Sequence, residues 1–122
     1  MSIKPQVLDL ISLVENGQML EAMNRYYAEN VAMQENVSPP TVGFAENYAR
    51  EQAFYGSLKE LRFSLVSVVV EGDRAAINWV VDYTTADGTQ YRMDEIALQT
   101  WRGGKIVQER YVYDTASLAL AA

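Results

Sequence analysis

Apolar side chains recur at helical spacing from the start of the chain. Val7, Leu8, Ile11 and Val14 share one side of a helix over residues 5–15, opened by Pro5 and stopped by Asn16-Gly17. Met19, Leu20, Met23, Tyr26 and Tyr27 repeat the spacing in a second helix that ends near residues 28–30. The two form a short hairpin. Residues 31–35 alternate and read as a short strand, and Pro39-Pro40 forces a loop over 36–43. Phe44, Tyr48, Phe54, Tyr55 and Leu58 then place a third helix over 44–58, with Gly56 its weak point.

The remainder reads as sheet. Strands rich in Val, Leu, Ile and aromatic residues are expected over 61–71, 75–85, 91–101 and 106–113. Their joints, Gly72-Asp73, Asp87-Gly88 and Gly103-Gly104, are compact turns, so consecutive strands are antiparallel neighbours. The sequence thus predicts one α+β domain over residues 1–122, with three N-terminal helices on a curved, mainly antiparallel sheet and a pocket between the layers. Residues 115–122 are alanine-rich and read as a short helix or a frayed tail.

Turn length fixes register, and register decides which side chains share a face. Two-residue turns at Gly72-Asp73 and Asp87-Gly88 set Val69 opposite Ala76, Ser67 opposite Asn78, Leu65 opposite Val80, Asn78 opposite Ala97 and Val80 opposite Glu95. A three-residue loop at Arg102-Gly103-Gly104 sets Ala97 opposite Glu109 and Glu95 opposite Tyr111. One face then carries Asn78, Glu95, Gln99, Trp101, Glu109, Tyr111 and Tyr113 and closes the pocket. The other carries Ile77, Trp79, Val81, Tyr83, Ile96, Leu98 and Val112, with Arg92, Asp94 and Arg110 at intervals. Left uncovered, that second face would close a homodimer sheet to sheet; the alternative is that the sheet curls and the C-terminal tail covers it.

Composition narrows the chemistry. A chain of 122 residues, 49% hydrophobic and 21% charged, is the size and make-up of a single folded domain. Its net charge of -6 argues against nucleic acid and against an anionic membrane surface. No apolar run approaches a membrane span, and Asp9 and Glu15 interrupt the N-terminal stretch where a signal peptide would be apolar, so a cytoplasmic protein is expected. Without cysteine or histidine, acid–base work must fall to Asp, Glu, Tyr or Lys. No fixed-spacing acidic loop suggests a metal site, and no cofactor is called for.

Tyr27-Ala28-Glu29-Asn30-Val31 before the first strand, and Trp101-Arg102-Gly103-Gly104-Lys105-Ile106-Val107 through Tyr111-Val112-Tyr113-Asp114 at the last hairpin, sit in the order helix, helix, strand, helix, four strands. In these features the chain resembles the nuclear transport factor 2-like superfamily, which includes SnoaL-like polyketide cyclases, ketosteroid isomerases and limonene epoxide hydrolases. Met33-Gln34-Glu35-Asn36 with Pro39-Pro40 and Gly43 is similar to a SnoaL-like subgroup whose members mostly lack an assigned reaction. The resemblance to ketosteroid isomerases implies a general-base carboxylate at Glu35. Their oxyanion-hole donors fall on Ile11 and Ala97, which cannot donate. The hydrolase triad falls on Asn78, Val80 and Tyr111 and is absent, and Arg92-Met93-Asp94, which imitates its spacing, reads as a surface or interface ion pair.

Glu35, Glu95 and Glu109 are expected to face one cavity, where mutual desolvation raises carboxyl pKa values toward neutrality. Tyr111 and Tyr113 would donate to an enolate oxygen, while Asn78, Gln99 and Trp101 line and orient. The blander readings pair Glu109 with Arg110 at a rim and Glu95 with a helix residue such as Arg50, bond Glu35 to the proline loop, and put Trp101 and the tyrosines in the core. Glu51, early in the third helix, is either another pocket acid or, as the favoured reading, a solvated helix residue. The expected function is a SnoaL-like protein binding a small apolar or carbonyl-containing ligand, an isomerase or aldol-type cyclase with Glu35 as acid–base group. The alternative is a non-catalytic apolar-ligand-binding or dimerisation module.

Overall fold

The computed structural model describes residues 2–115, so the expected tail beyond lies outside the described residues. Helices α1 (Lys4–Glu15), α2 (Met19–Tyr26) and α3 (Phe44–Gly56) pack on one face of a six-stranded sheet: β1 (Tyr27–Glu35), β2 (Thr41–Val42), β3 (Glu60–Glu71), β4 (Arg74–Thr84), β5 (Gln90–Arg102) and β6 (Lys105–Tyr113). The strand order is β2-β1-β6-β5-β4-β3; β1 runs parallel to β6 and the other neighbours are antiparallel.

Val7 and Ile11 of α1 and Ala22 and Met23 of α2 are buried, whereas Leu8, expected on the same side of α1, is 45% exposed and Leu10 is buried instead. The second helix stops earlier than expected because Tyr27 already pairs with Ile106 and buries its ring in the core. Strand β1 is correspondingly longer and carries an irregularity between Tyr27 and Ala32. The core joins these helices to Val31, Met33, Ile77, Trp79, Val81, Ala97, Trp101 and Ile106.

The three hairpins follow the expected turns to different degrees. Gly72-Asp73 is a two-residue turn, with Val69 opposite Ala76 and Ser67 opposite Asn78. A bulge at Val66 then moves Leu65 opposite Trp79 rather than Val80, and the Glu15 carboxylate accepts the Leu65 N–H at 3.2 Å there. At Asp87-Gly88 the turn is one residue longer. Thr85 N–H donates to the Thr89 carbonyl at 3.0 Å, Asp87 Oδ1 accepts from Thr85 Oγ1 at 2.5 Å and from Thr89 N–H at 3.0 Å, and Gly88 takes φ 88°. Every β4–β5 pair therefore shifts by one: Asn78 meets Ile96, Val80 meets Asp94 and Trp79 meets Glu95.

That single residue inverts β4 relative to its expected facing. Ile77, Trp79, Val81 and Tyr83 turn toward the helices, while Asn78 and Val80 turn away. The last joint is a two-residue Gly103-Gly104 turn, which alone would invert β6, but a bulge at Val107 restores the facing and brings Gln99 opposite Glu109, Ala97 opposite Tyr111 and Glu95 opposite Tyr113. The outer face keeps exposed Ile96, Leu98 and Val112 and gains exposed Val69, which the expected register put on the pocket face, a smaller apolar patch than one including the β4 aromatics.

Candidate functional site

Helix α3 is fixed before it can line anything. Asn47, fully buried, donates through Nδ2 to the carbonyls of Gly43 at 2.8 Å, Thr41 at 3.0 Å and Val31 at 3.4 Å, tying the helix to β1 and β2. Glu51 and Tyr55 follow Asn47 at intervals of four residues and face the sheet. Between them and the inner surfaces of β3, β4, β5 and β6 lies a pocket of about 350 Å³.

One side of this pocket is apolar: Phe54, Leu61, Phe63, Val81, Tyr83 and Met93. Phe54 and Phe63 meet Tyr83 and Tyr55 edge to face, at centroid distances of 5.7 and 6.5 Å. The other side is acidic, with Glu35, Glu51 and Glu95 beside Tyr111 and Tyr113, and Arg50 the single lining cation among the described residues. Arg50 is already engaged, 3.6 Å from Glu51 and donating to Thr41 Oγ1 at 3.3 Å and Asn47 Oδ1 at 3.4 Å.

Glu95 is 4% exposed, and its carboxyl has no hydrogen-bond partner among the described residues. Burial, followed by the charges of Glu35, Glu109 and Glu51, pushes its pKa up to about 8. Glu51 rises to about 7 through burial, partly offset by Arg50. The adjacent loop does not engage the Glu35 carboxyl; instead Tyr113 Oη donates to its Oε1 at 2.8 Å. Asn36, at φ 50°, holds this strand end by donating its N–H to the Tyr111 carbonyl at 2.8 Å and accepting the Tyr113 N–H on Oδ1 at 2.9 Å.

Glu109 sits beneath the pocket in a closed network. Tyr27 Oη and, at 2.6 Å, Tyr111 Oη donate to its Oε1, and Gln99 Nε2 donates to Oε2 at 2.7 Å. Trp101 Nε1 donates to Gln99 Oε1 at 3.0 Å, and because an indole only donates, the amide orientation is fixed. Burial raises the Glu109 pKa against the pull of Tyr111, Tyr27 and Gln99. The network holds Tyr111 against the pocket floor.

Of the residues expected from sequence, Glu35, Glu95, Tyr111 and Tyr113 come together at the pocket, whereas Gln99, Trp101 and Glu109 lie buried below it. Asn78 does not belong to the site. The longer β4–β5 loop turns it to the outer face, where Nδ2 donates to Asp94 Oδ1 at 2.7 Å and the Glu95 carbonyl at 3.1 Å. Glu109 forms no rim pair with Arg110, Glu95 does not pair with Arg50, and Glu51 is a pocket acid rather than a solvated residue. Arg92 is a surface cation paired with Asp82 at 2.7 Å. Glu51, for which the sequence favours the solvated reading over the pocket one, lines the site, and Tyr55 joins it unforeseen; the Asn47, Glu51, Tyr55 spacing was the available signal. Among the described residues, no three acidic side chains are placed to hold a metal ion.

A model of the SnoaL-like domain matches residues 7–109. No curated protein matches the sequence. Among solved structures, a candidate SnoaL-like polyketide cyclase from Mesorhizobium loti is 28% identical, with 91% of this chain and 98% of that one covered at a TM-score of 0.81. An NTF2-like protein of unknown function from Burkholderia pseudomallei reaches a TM-score of 0.82 at 16% identity, covering 95% and 94%. TerC, co-crystallised with polyporic acid, reaches 0.77 at 17% identity, covering 93% and 92%. The last two likenesses show the fold alone.

Proposed function

The chain belongs to the SnoaL-like domain family, and on that premise we propose that its pocket binds a small organic molecule and moves a proton next to a carbonyl group. Glu95 carries this reading: a buried carboxyl without a hydrogen-bond partner, facing a cavity and titrating at about 8. At pH 7 its protonated form is favoured, so it donates to a carbonyl oxygen as negative charge develops there. Glu35 removes the proton from the adjacent carbon. Tyr113, the cross-strand neighbour of Glu95, orients the Glu35 carboxyl. Tyr111 completes the acidic wall, and the aromatic wall holds the apolar body of the substrate. This division of labour suits an isomerase or an aldol-type cyclase.

The test is deuterium wash-in. Enolisable bicyclic ketones and 1,3-diketones incubated with the protein in D2O should lose their α-proton NMR signals faster than in buffer. Glu35→Gln and Glu95→Gln should each slow this by about 10²-fold or more, within the usual contribution of a general acid or base. Binding without acceleration would instead support the non-catalytic reading, which draws on buried Ile11 and Ala97 standing where related isomerases place their donors.

For the outer face we propose a homodimer, supported by exposed Val69 on β3, Ile96 and Leu98 on β5 and Val112 on β6. No helix among the described residues is long and apolar enough to cross a membrane.

A further inference from the structure

Proton transfer next to a carbonyl needs one base and at most one acid. The pocket presents three carboxyl groups, Glu35, Glu51 and Glu95, against a single arginine that is already committed to Glu51, Asn47 and Thr41. Glu95, 4% exposed and facing the cavity, has no hydrogen-bond partner among the described residues. A carboxyl group largely withdrawn from bulk water, unpaired within the protein and facing a cavity favours a donor or a positive charge in that cavity.

The opposite wall suits such a charge. Phe54, Phe63 and Tyr83 line the same space, and aromatic rings attract cations most strongly where water is excluded. The carboxyls are not arranged to converge on a metal ion. A diffuse positive charge on an organic nitrogen can meet both walls at once, because it needs neither short ligand distances nor fixed coordination.

We infer that the pocket selects an organic cation: a molecule with an apolar, ring-sized body and a protonated or quaternary nitrogen lodged between the Glu51–Glu95 wall and the aromatic rings. The inference rests on the pocket being a small-molecule site and names the substrate class. Seating the cation displaces the Glu95 proton, so Glu95 is the counter-charge when a cation is bound and the proton donor only for an uncharged ligand, and cation binding at pH 7.5 releases a proton. Anionic ligands are disfavoured by the same carboxyls.

The test compares one body bearing three charges. Tryptamine, neutral indole-3-ethanol and anionic indole-3-propionate are titrated into the intact protein at pH 7.5, with binding read from backbone amide NMR shifts of pocket residues. Tryptamine should bind about tenfold or more tighter than indole-3-ethanol, with indole-3-propionate weakest. Glu51→Gln and Glu95→Gln should each reduce the preference to about threefold or less, whereas Glu71→Gln, at the exposed end of β3, should leave it unchanged. Equal binding of the amine and the alcohol, or full preference in both pocket variants, would overturn the cation assignment while leaving the small-molecule site intact. Failure of all three probes to shift pocket residues would count against the site itself.

Discussion

Glu95 and Glu109 lie on the same strand pair and are both buried, yet their surroundings give them different tasks. Glu109 receives Tyr27, Tyr111 and Gln99, so it is a structural acceptor. Glu95 receives none, so its burial costs stability whenever it ionises. The sign follows from linkage: the folded pKa of about 8 lies above the ordinary 4.5, the folded state binds more protons between those values, and stability falls as pH rises through that window. Glu51 contributes in the same direction up to about 7. Thermal unfolding should therefore show Tm declining from pH 5 to pH 8.5, and Glu95→Gln should flatten that decline, matching wild type near pH 5 and exceeding it at pH 8.5 by roughly 1–3 kcal/mol. At Glu109 the expectation reverses. Glu109→Leu strands two phenols and an amide and should destabilise by roughly 2–4 kcal/mol in urea unfolding.

Between elements, the pocket depends on how α3 is seated and how the hairpins are registered. Asn47→Ala removes three donations to the carbonyls of Val31, Thr41 and Gly43 and should cost roughly 2–3 kcal/mol, with amide exchange accelerated along α3 before the sheet. The hairpins also mark how far the sequence could be read. Element order and strand identity were legible because periodicity and turn residues report them directly. Register was legible only where turn length was unambiguous. Asp87-Gly88 serves a two-residue or a three-residue loop equally well, and the Asp87 side chain, bonding Thr85 and Thr89, selects the longer. That choice moved Asn78 out of the site and brought in Val81 and Tyr83. At Gly103-Gly104 an incorrect turn length and an unforeseen bulge at Val107 cancelled, so the facing of Glu109, Tyr111 and Tyr113 was right for an incomplete reason. Glu51 ranked as solvated ahead of pocket acid because a polar residue on a short helix reads that way unless the pocket behind it is known.

At the scale of the molecule the two sheet faces differ in kind. The inner face divides into an aromatic half from β3 and β4 and an acidic half from β5, β6 and β1, and the pocket lies along their boundary. The outer face carries an apolar patch among charged and amide side chains, the expected seat of self-association. Light scattering at micromolar concentration should give twice the chain mass of 13.7 kDa, and Leu98→Glu should return the protein to monomer without loss of helical circular dichroism. A monomeric wild type would remove the dimer and leave the pocket untouched. The pocket account stands on one proton. Side-chain carboxyl NMR titration of Glu95 in the folded protein tests it most directly: a midpoint near 8 is the expected result, and a midpoint near the unperturbed value of about 4.3 would contradict it.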